Sequence, residues 1–293
     1  MKKIALILAA LLLVSSLVAC NDTEVEENEY GGISSYTSTV RTHEVKVNDE
    51  VIATFTYVDG SGDSAIITGY TGPVEPHEVV IPEIVGTGDA ALKVKAIGAE
   101  AFYYRTAITA ITLPSTLEKI ESMAFAGCTN IEKITIPASV QSIGNYAFAN
   151  CYALTSVTVE NNSKLESIGD FAFNECGCLK SINIPESLKH IGKGSFRMCA
   201  DLESIKTPAG LLSIDDMPFV GCTKLNTPGA IDVSASVNIE YIYVEKDGDH
   251  VYEANLGNNI FSGIDPYNII APEEKESDLY IYIDNLKKVA ESN

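Results

Sequence analysis

One short pattern recurs six times in this chain, and that recurrence restricts the fold more than any other feature. The isoleucine of an Ile-Gly-type step falls at Ile97, Ile120, Ile143, Ile168, Ile191 and Ile214, at spacings of 23, 23, 25, 23 and 23. Phenylalanine follows in the same rhythm at Phe102, Phe125, Phe148, Phe173, Phe196 and Phe219. Three residues after each Phe stands a cysteine (Cys128, Cys151, Cys176, Cys199 and Cys222), except in the first copy, which has Arg105. A fixed period of this length is the mark of a stacked repeat, in which no unit can bury its apolar side alone.

The unit around Ile134 shows the logic. Ile134-Thr135-Ile136 alternates inward and outward, as a short half-buried strand does. Pro137 ends that strand, because it lacks the N–H a ladder needs. Val140 and Ile143 return to the inside, Gly144 permits a bend, and Ala147, Phe148 and Cys151 close the far side. Stacking such units buries these positions continuously.

The pattern Leu-x-x-Ile-x-Ile-Pro-x-Ser-Val-x-x-Ile-Gly-x-x-Ala-Phe-x-x-Cys resembles the BspA-like, or Treponema-type, leucine-rich repeats. Its clearest copies run from Ile97 to about Leu225. Thr54 to Tyr57, Ser64 to Gly72 and Val79 to Pro82 look like leading strands and a degenerate first coil, extending the resemblance to residues 50–226. The resemblance implies a right-handed solenoid of short parallel β-strands joined by loops or short helical turns, with β-rich flanks. Two departures stand out. Asn161-Asn162 adds two residues where a Pro is expected, which predicts a bulged loop. Pro228 takes a strand position after the last ladder cysteine, which predicts that the regular array stops there.

The ends read differently. Lys2 and Lys3 precede an apolar run, Ile4 to Val14, and Leu17-Val18-Ala19-Cys20 closes it with small residues. That order is a secretory signal resembling the bacterial lipobox, and it makes Cys20 the expected lipidation site. Asn21 to Glu29 is acidic and nearly free of apolar residues, so it reads as an unfolded tether. It also resembles the export signal of surface lipoproteins in Bacteroides-type bacteria; a solvated linker that addresses nothing is the other reading. No second apolar run approaches the roughly 18 residues of a membrane helix, which leaves the lipid as the expected link to an outer membrane. After Gly229 the period is lost. Ile239 to Glu245 and His250 to Ala254 alternate around the turn pair Asp247-Gly248, Leu279 to Ile283 reads as another strand, and Asp284 to Glu291 as a terminal helix. The expected organisation is therefore a signal over 1–19, a tether over 20–40, leading strands and a degenerate coil over 41–96, the solenoid over 97–228 and a β-rich cap over 229–293.

The formal charge of −20 becomes −22 once Lys2 and Lys3 are removed with the signal. Such a chain repels phosphate backbones, so a nucleic-acid partner is not expected. Little points to catalysis, to a metal or to a cofactor. His43, His77, His190 and His250 stand alone, outside zinc-ligand spacing. Gly192-Lys193-Gly194-Ser195 has the letters of a phosphate loop without its spacer, in the register of the repeat's bend. Asp59-Gly60-Ser61-Gly62-Asp63 and Asp247-Gly248-Asp249 lack calcium-loop spacing and read as turns. The ladder cysteines admit two readings. Stacked coils would bring them close enough for disulfides, yet small apolar side chains inside a solenoid need no bond, which favours buried thiols.

What remains is surface. Thr112, Thr135, Thr158, Asn183 and Lys206 occupy matching outward positions on the repeat strands and form the candidate binding face; merely solvated coil surface is the other reading. Tyr103, Tyr104, Tyr146 and Tyr152 flank the Phe positions. Members of the resembled family are surface proteins that bind other proteins. That implies a host or bacterial surface protein as partner, reached by adhesion or protein–protein contact and without enzymatic activity. Glycan capture and a structural envelope role are the alternatives, and the absence of Trp weighs modestly against a sugar platform.

Overall fold

The computed structural model describes residues 39–48, 50–236, 241–246, 249–254, 260–273, 275 and 277–291. The signal segment, Cys20, the tether up to residue 38 and the Asp247-Gly248 turn lie outside them. The chain opens with an antiparallel meander, β1 (Arg41–Val47), β2 (Glu50–Asp59) and β3 (Ser64–Thr71), and then coils. Each full coil carries two short strands. The first set is β4 (His77–Val80), β7 (Ile108–Thr112), β9 (Lys133–Ile136), β11 (Ser156–Val159), β13 (Ser181–Ile182), β15 (Ile205–Lys206), β17 (Ile231–Asp232) and β20 (Ile269–Ile270). The second set is β6 (Leu92–Ile97), β8 (Lys119–Ile120), β10 (Ser142–Ile143), β12 (Ser167–Ile168), β14 (His190–Ile191) and β16 (Ser213–Ile214).

The second set forms the continuous sheet. It runs β1-β2-β3-β6-β8-β10-β12-β14-β16, with β5 (Ile84–Val85) paired to β6, and it is parallel from β3 onward. The first set breaks into three blocks, β4-β7, β9-β11-β13 and β15-β17-β20. The expected repeat strand is thus the broken one, and the unbroken ladder follows the Ile-Gly step. Gly144, Gly169 and Gly192 stand on that ladder because a Cβ there would come within 2.6–2.8 Å of the preceding coil's main chain.

Between the Ile-Gly step and the cysteine the chain closes tight turns. The N–H groups of Ala101, Tyr103 and Arg105 donate three residues back within their own coil. Those of Glu100, Phe102 and Tyr104 donate to carbonyls of the next coil. This alternation recurs along the stack and satisfies the main chain without regular secondary structure. It places two residues per coil in the left-handed region, Tyr104 (φ 53°), Asn150 (φ 60°) and Met198 (φ 61°) among them.

The core is one apolar column. The rings of Phe102, Phe125, Phe148, Phe173, Phe196 and Phe219 stack at centroid distances of 5.1–6.0 Å. Tyr70 and Phe55 close the column at its N-terminal end. The bulge at Asn161-Asn162 is a turn with Asn162 at φ 57°.

Two expectations for the C-terminal region are corrected. Coiling does not stop at Pro228, since β17 pairs in parallel with β15 and β20 with β17. Phe261 continues the ring stack 6.4 Å from Phe219, and Ile264 repeats the cysteine's main-chain bond back to the Phe carbonyl. An antiparallel hairpin, β18 (Tyr241–Lys246) and β19 (Asp249–Ala254), lies in sequence between β17 and Phe261. The second correction concerns Leu279–Ile283, which belongs to a helix, α1 (Asp278–Glu291). Leu279 and Ile283 are buried, with Tyr282 and Leu286 packed against the core, so the i, i+3, i+4, i+7 spacing of a helix prevails over the short alternation.

Candidate functional site

The repeat strands present Thr112, Thr135 and Thr158 as exposed outward residues, with Thr135 and Thr158 directly paired in the β9–β11 ladder. Their hydroxyls can donate and accept. The remaining two candidates behave differently. Asn183 turns its amide onto the neighbouring strand: Nδ2 donates to the Val159 carbonyl and Oδ1 accepts from its N–H, both at 2.7 Å. The side chain thereby continues the ladder where β13 has ended. Lys206 is ion-paired with Asp232 at 3.4 Å, yet 73% of its side chain stays exposed. The face is therefore a hydroxyl row bounded on one side by an engaged amide and a salt bridge.

Sequence reasoning missed a second row, Lys119, Ser142, Ser167, His190 and Ser213, in register on the continuous sheet. Its only signal was a polar residue before each Ile of the step from Ile120 onward. The flanking charges neutralise one another, Lys95 with Glu118 at 3.0 Å and Lys189 with Glu166 at 2.8 Å. His190 Nδ1 lies 2.9 Å from Ser213 Oγ on this face. Burial, with the charges of Asp170 and Asp216, raises the Asp215 carboxyl above its ordinary value.

The ladder cysteines are buried free thiols. Each Sγ donates to the carbonyl of a Phe in the coil before it: Cys128 to Phe102, Cys151 to Phe125, Cys176 to Phe148, Cys199 to Phe173 and Cys222 to Phe196, at 3.0–3.3 Å. Burial raises four of these thiols, Cys222 to about 12, and the hydrogen bond with Cys176 together with burial raises Cys151, which keeps all five protonated and unsuited to nucleophilic work.

The remaining polar candidates sit in structural positions. His77 lies between Tyr70 Oη at 2.9 Å and the Glu75 carbonyl at 2.8 Å. Asp59 and Asp63 pair with Arg41 and Lys93 on either side of a turn. Gly192 to Ser195 form the repeat's bend, with Ser195 fully buried. Among the described residues no cluster of His, Cys, Asp or Glu could hold a metal ion, and no helix is long and apolar enough to cross a membrane. Tyr146 stacks on Phe171 at 5.0 Å, while Tyr103, Tyr104 and Tyr152 are exposed. Chemically, this surface offers neutral hydrogen bonds and aromatic contact across a rigid array.

A family model described as the BspA type leucine rich repeat region matches residues 95–226 in six copies. A crystal structure of a leucine-rich-repeat protein from T. pallidum is 34% identical over 58% of this chain and 76% of its own, with a TM-score of 0.53. One from Bacteroides ovatus is 26% identical over 71% of this chain and 67% of its own, with a TM-score of 0.45. No curated protein matches the sequence. The period, the two-strand coil and the thiol ladder have the same source: the chain belongs to the BspA-type leucine-rich-repeat family.

Proposed function

We propose that this protein is a lipid-anchored bacterial surface protein that binds another macromolecule, a host or bacterial surface protein, and does no catalysis. The observation that carries the binding reading is the row of Thr112, Thr135 and Thr158, exposed on successive repeat strands of a scaffold whose ladder thiols are buried. A solenoid holds such a row on fixed strands, which lowers the ordering cost of binding and favours association over an extended contact. Protein–protein interaction fits the family to which the chain belongs. The lipobox-like Leu17 to Cys20 and the acidic segment behind it support display on the outer membrane.

Protease shaving of intact cells, followed by immunoblotting of the membranes, tests the location. Loss of the protein from intact cells is the expected result. Survival until the envelope is broken would overturn surface display and move the search to partners in the periplasm.

A further inference from the structure

The turn edge of the first coil departs from the repeat. At the two positions after the core Phe, later coils carry Ala126-Gly127, Ala149-Asn150, Asn174-Glu175, Arg197-Met198 and Val220-Gly221. The first coil carries Tyr103-Tyr104. Both rings are largely in solvent, 44% and 57% exposed, and meet edge to face at 4.5 Å. Burial therefore does not account for them. Tyr104 also holds a left-handed φ of 53°, unfavourable for a bulky side chain, at a register where Gly127 and Gly221 stand without cost. Its ring lies flat across Gly127, where an added Cβ would meet three ring carbons at 3.0–3.1 Å. One face of the ring is thus seated on main chain.

The same edge continues in polar form. Gly127 bonds to the coil that carries Asn150, and Asn150 bonds to the one that carries Glu175. Tyr152 is 51% exposed, and its hydroxyl donates to Asn150 Oδ1 at 3.4 Å. Coils rise by about one strand spacing, so Asn150 and Tyr152 lie roughly 10 Å along the stack from Tyr104.

We propose that this edge is a carbohydrate-binding subsite, in which a neutral pyranose stacks on one ring of the Tyr103–Tyr104 pair, the other ring standing at its edge, and the next part of the glycan reaches Asn150 and Tyr152. A pyranose has a face of C–H bonds that suits the electron-rich face of an aromatic ring, and a rim of hydroxyls that suits an amide and a phenol. Tyrosine supplies that contact with little rotamer entropy to lose. The subsite lies apart from the Thr row, so it stands or falls independently of the protein-binding reading.

The test is isothermal titration of the full soluble chain, without the signal and lipid, against cellohexaose, xylohexaose, maltohexaose and N-acetylchitohexaose. At least one should bind. Tyr104→Ala should weaken that binding roughly tenfold, Tyr152→Ala should weaken it too, and Tyr104→Phe, which keeps the ring, should retain most of it. Thr135→Ala on the strand face should leave it unchanged. Thermal melting of each variant confirms that the solenoid is intact. Absence of binding to all four oligosaccharides, or undiminished binding by a folded Tyr104→Ala variant, would overturn the proposal.

Discussion

In the five coils from Phe125 to Phe219 the side chain three residues after the core Phe is small and buried, and donates one hydrogen bond to the carbonyl of a Phe one coil back. Cysteine suits all three conditions, which explains a ladder of thiols with no disulfide among them. Ser195 fails the same kind of test. It stands in the column of Ala124, Ala147 and Ala172, fully buried, and its hydroxyl has no partner. A buried unsatisfied hydroxyl costs about 1–3 kcal/mol, so Ser195→Ala should raise stability in urea denaturation by about 1 kcal/mol or more; a loss of stability would contradict this. His43 is buried in the N-terminal meander with Nδ1 unpartnered, and burial lowers its proton affinity below the ordinary 6.5. The unfolded chain therefore binds the extra proton first as the solution is acidified. Stability from this group is constant above pH 6.5 and falls as pH drops from there towards the folded value. Acid also discharges the excess carboxylates, so the comparison must be made against a His43→Leu variant. Between pH 7.5 and 5.5 the parent should lose more melting temperature, or gain less, than His43→Leu; equal changes in both would refute this.

At the scale of elements, Gly169 and Gly177 give opposite expectations from one repeat. A Cβ on Gly169 would meet the Asn145 N–H nitrogen and the Gly144 carbonyl carbon at 2.8 Å, whereas nothing lies within 4 Å of one on Gly177. Gly169→Ala should destabilise by about 1–3 kcal/mol through forced separation of coils, and Gly177→Ala by no more than about 0.5 kcal/mol. Chemical denaturation of the two variants decides it, and similar effects would deny the close approach. The same glycine step made the coil legible in the sequence, together with the Phe and Cys columns. The continuous ladder was not legible, because Ser142-Ile143 and its counterparts are two residues long and two residues show no alternation. The C-terminal helix was misread for a related reason. Leu279-Tyr280-Ile281-Tyr282-Ile283 is rich in strand-forming residues over a short window, and only the longer spacing to Leu286 reveals the helical face. Of the candidate face, sequence phase identified the outward positions. It could not anticipate that Asn183 would turn onto Val159, since that depends on β13 ending one residue earlier.

Over the whole molecule, the column of rings must be closed at both ends, or the last coil exposes its apolar interior. The meander does this at one end through Phe55 and Tyr70. At the other, α1 brings Tyr282 to 6.3 Å from Phe261, and a bond from Tyr267 Oη to Glu291 at 2.7 Å holds the helix end. A chain ending at Ser277 should melt at lower temperature and self-associate with concentration in light scattering; a stable monomer would show that the helix is dispensable. With the ends closed, the sides of the stack are left for partners among the described residues, and the Thr row is the face proposed for the protein partner. The most direct test places a photo-crosslinking phenylalanine analogue at Thr135, on that row, and separately at Ser167, on the continuous sheet, in cells that display the protein. A discrete protein adduct is expected from position 135 upon illumination and none from position 167. Adducts from neither position, or equal adducts from both, would contradict that proposal.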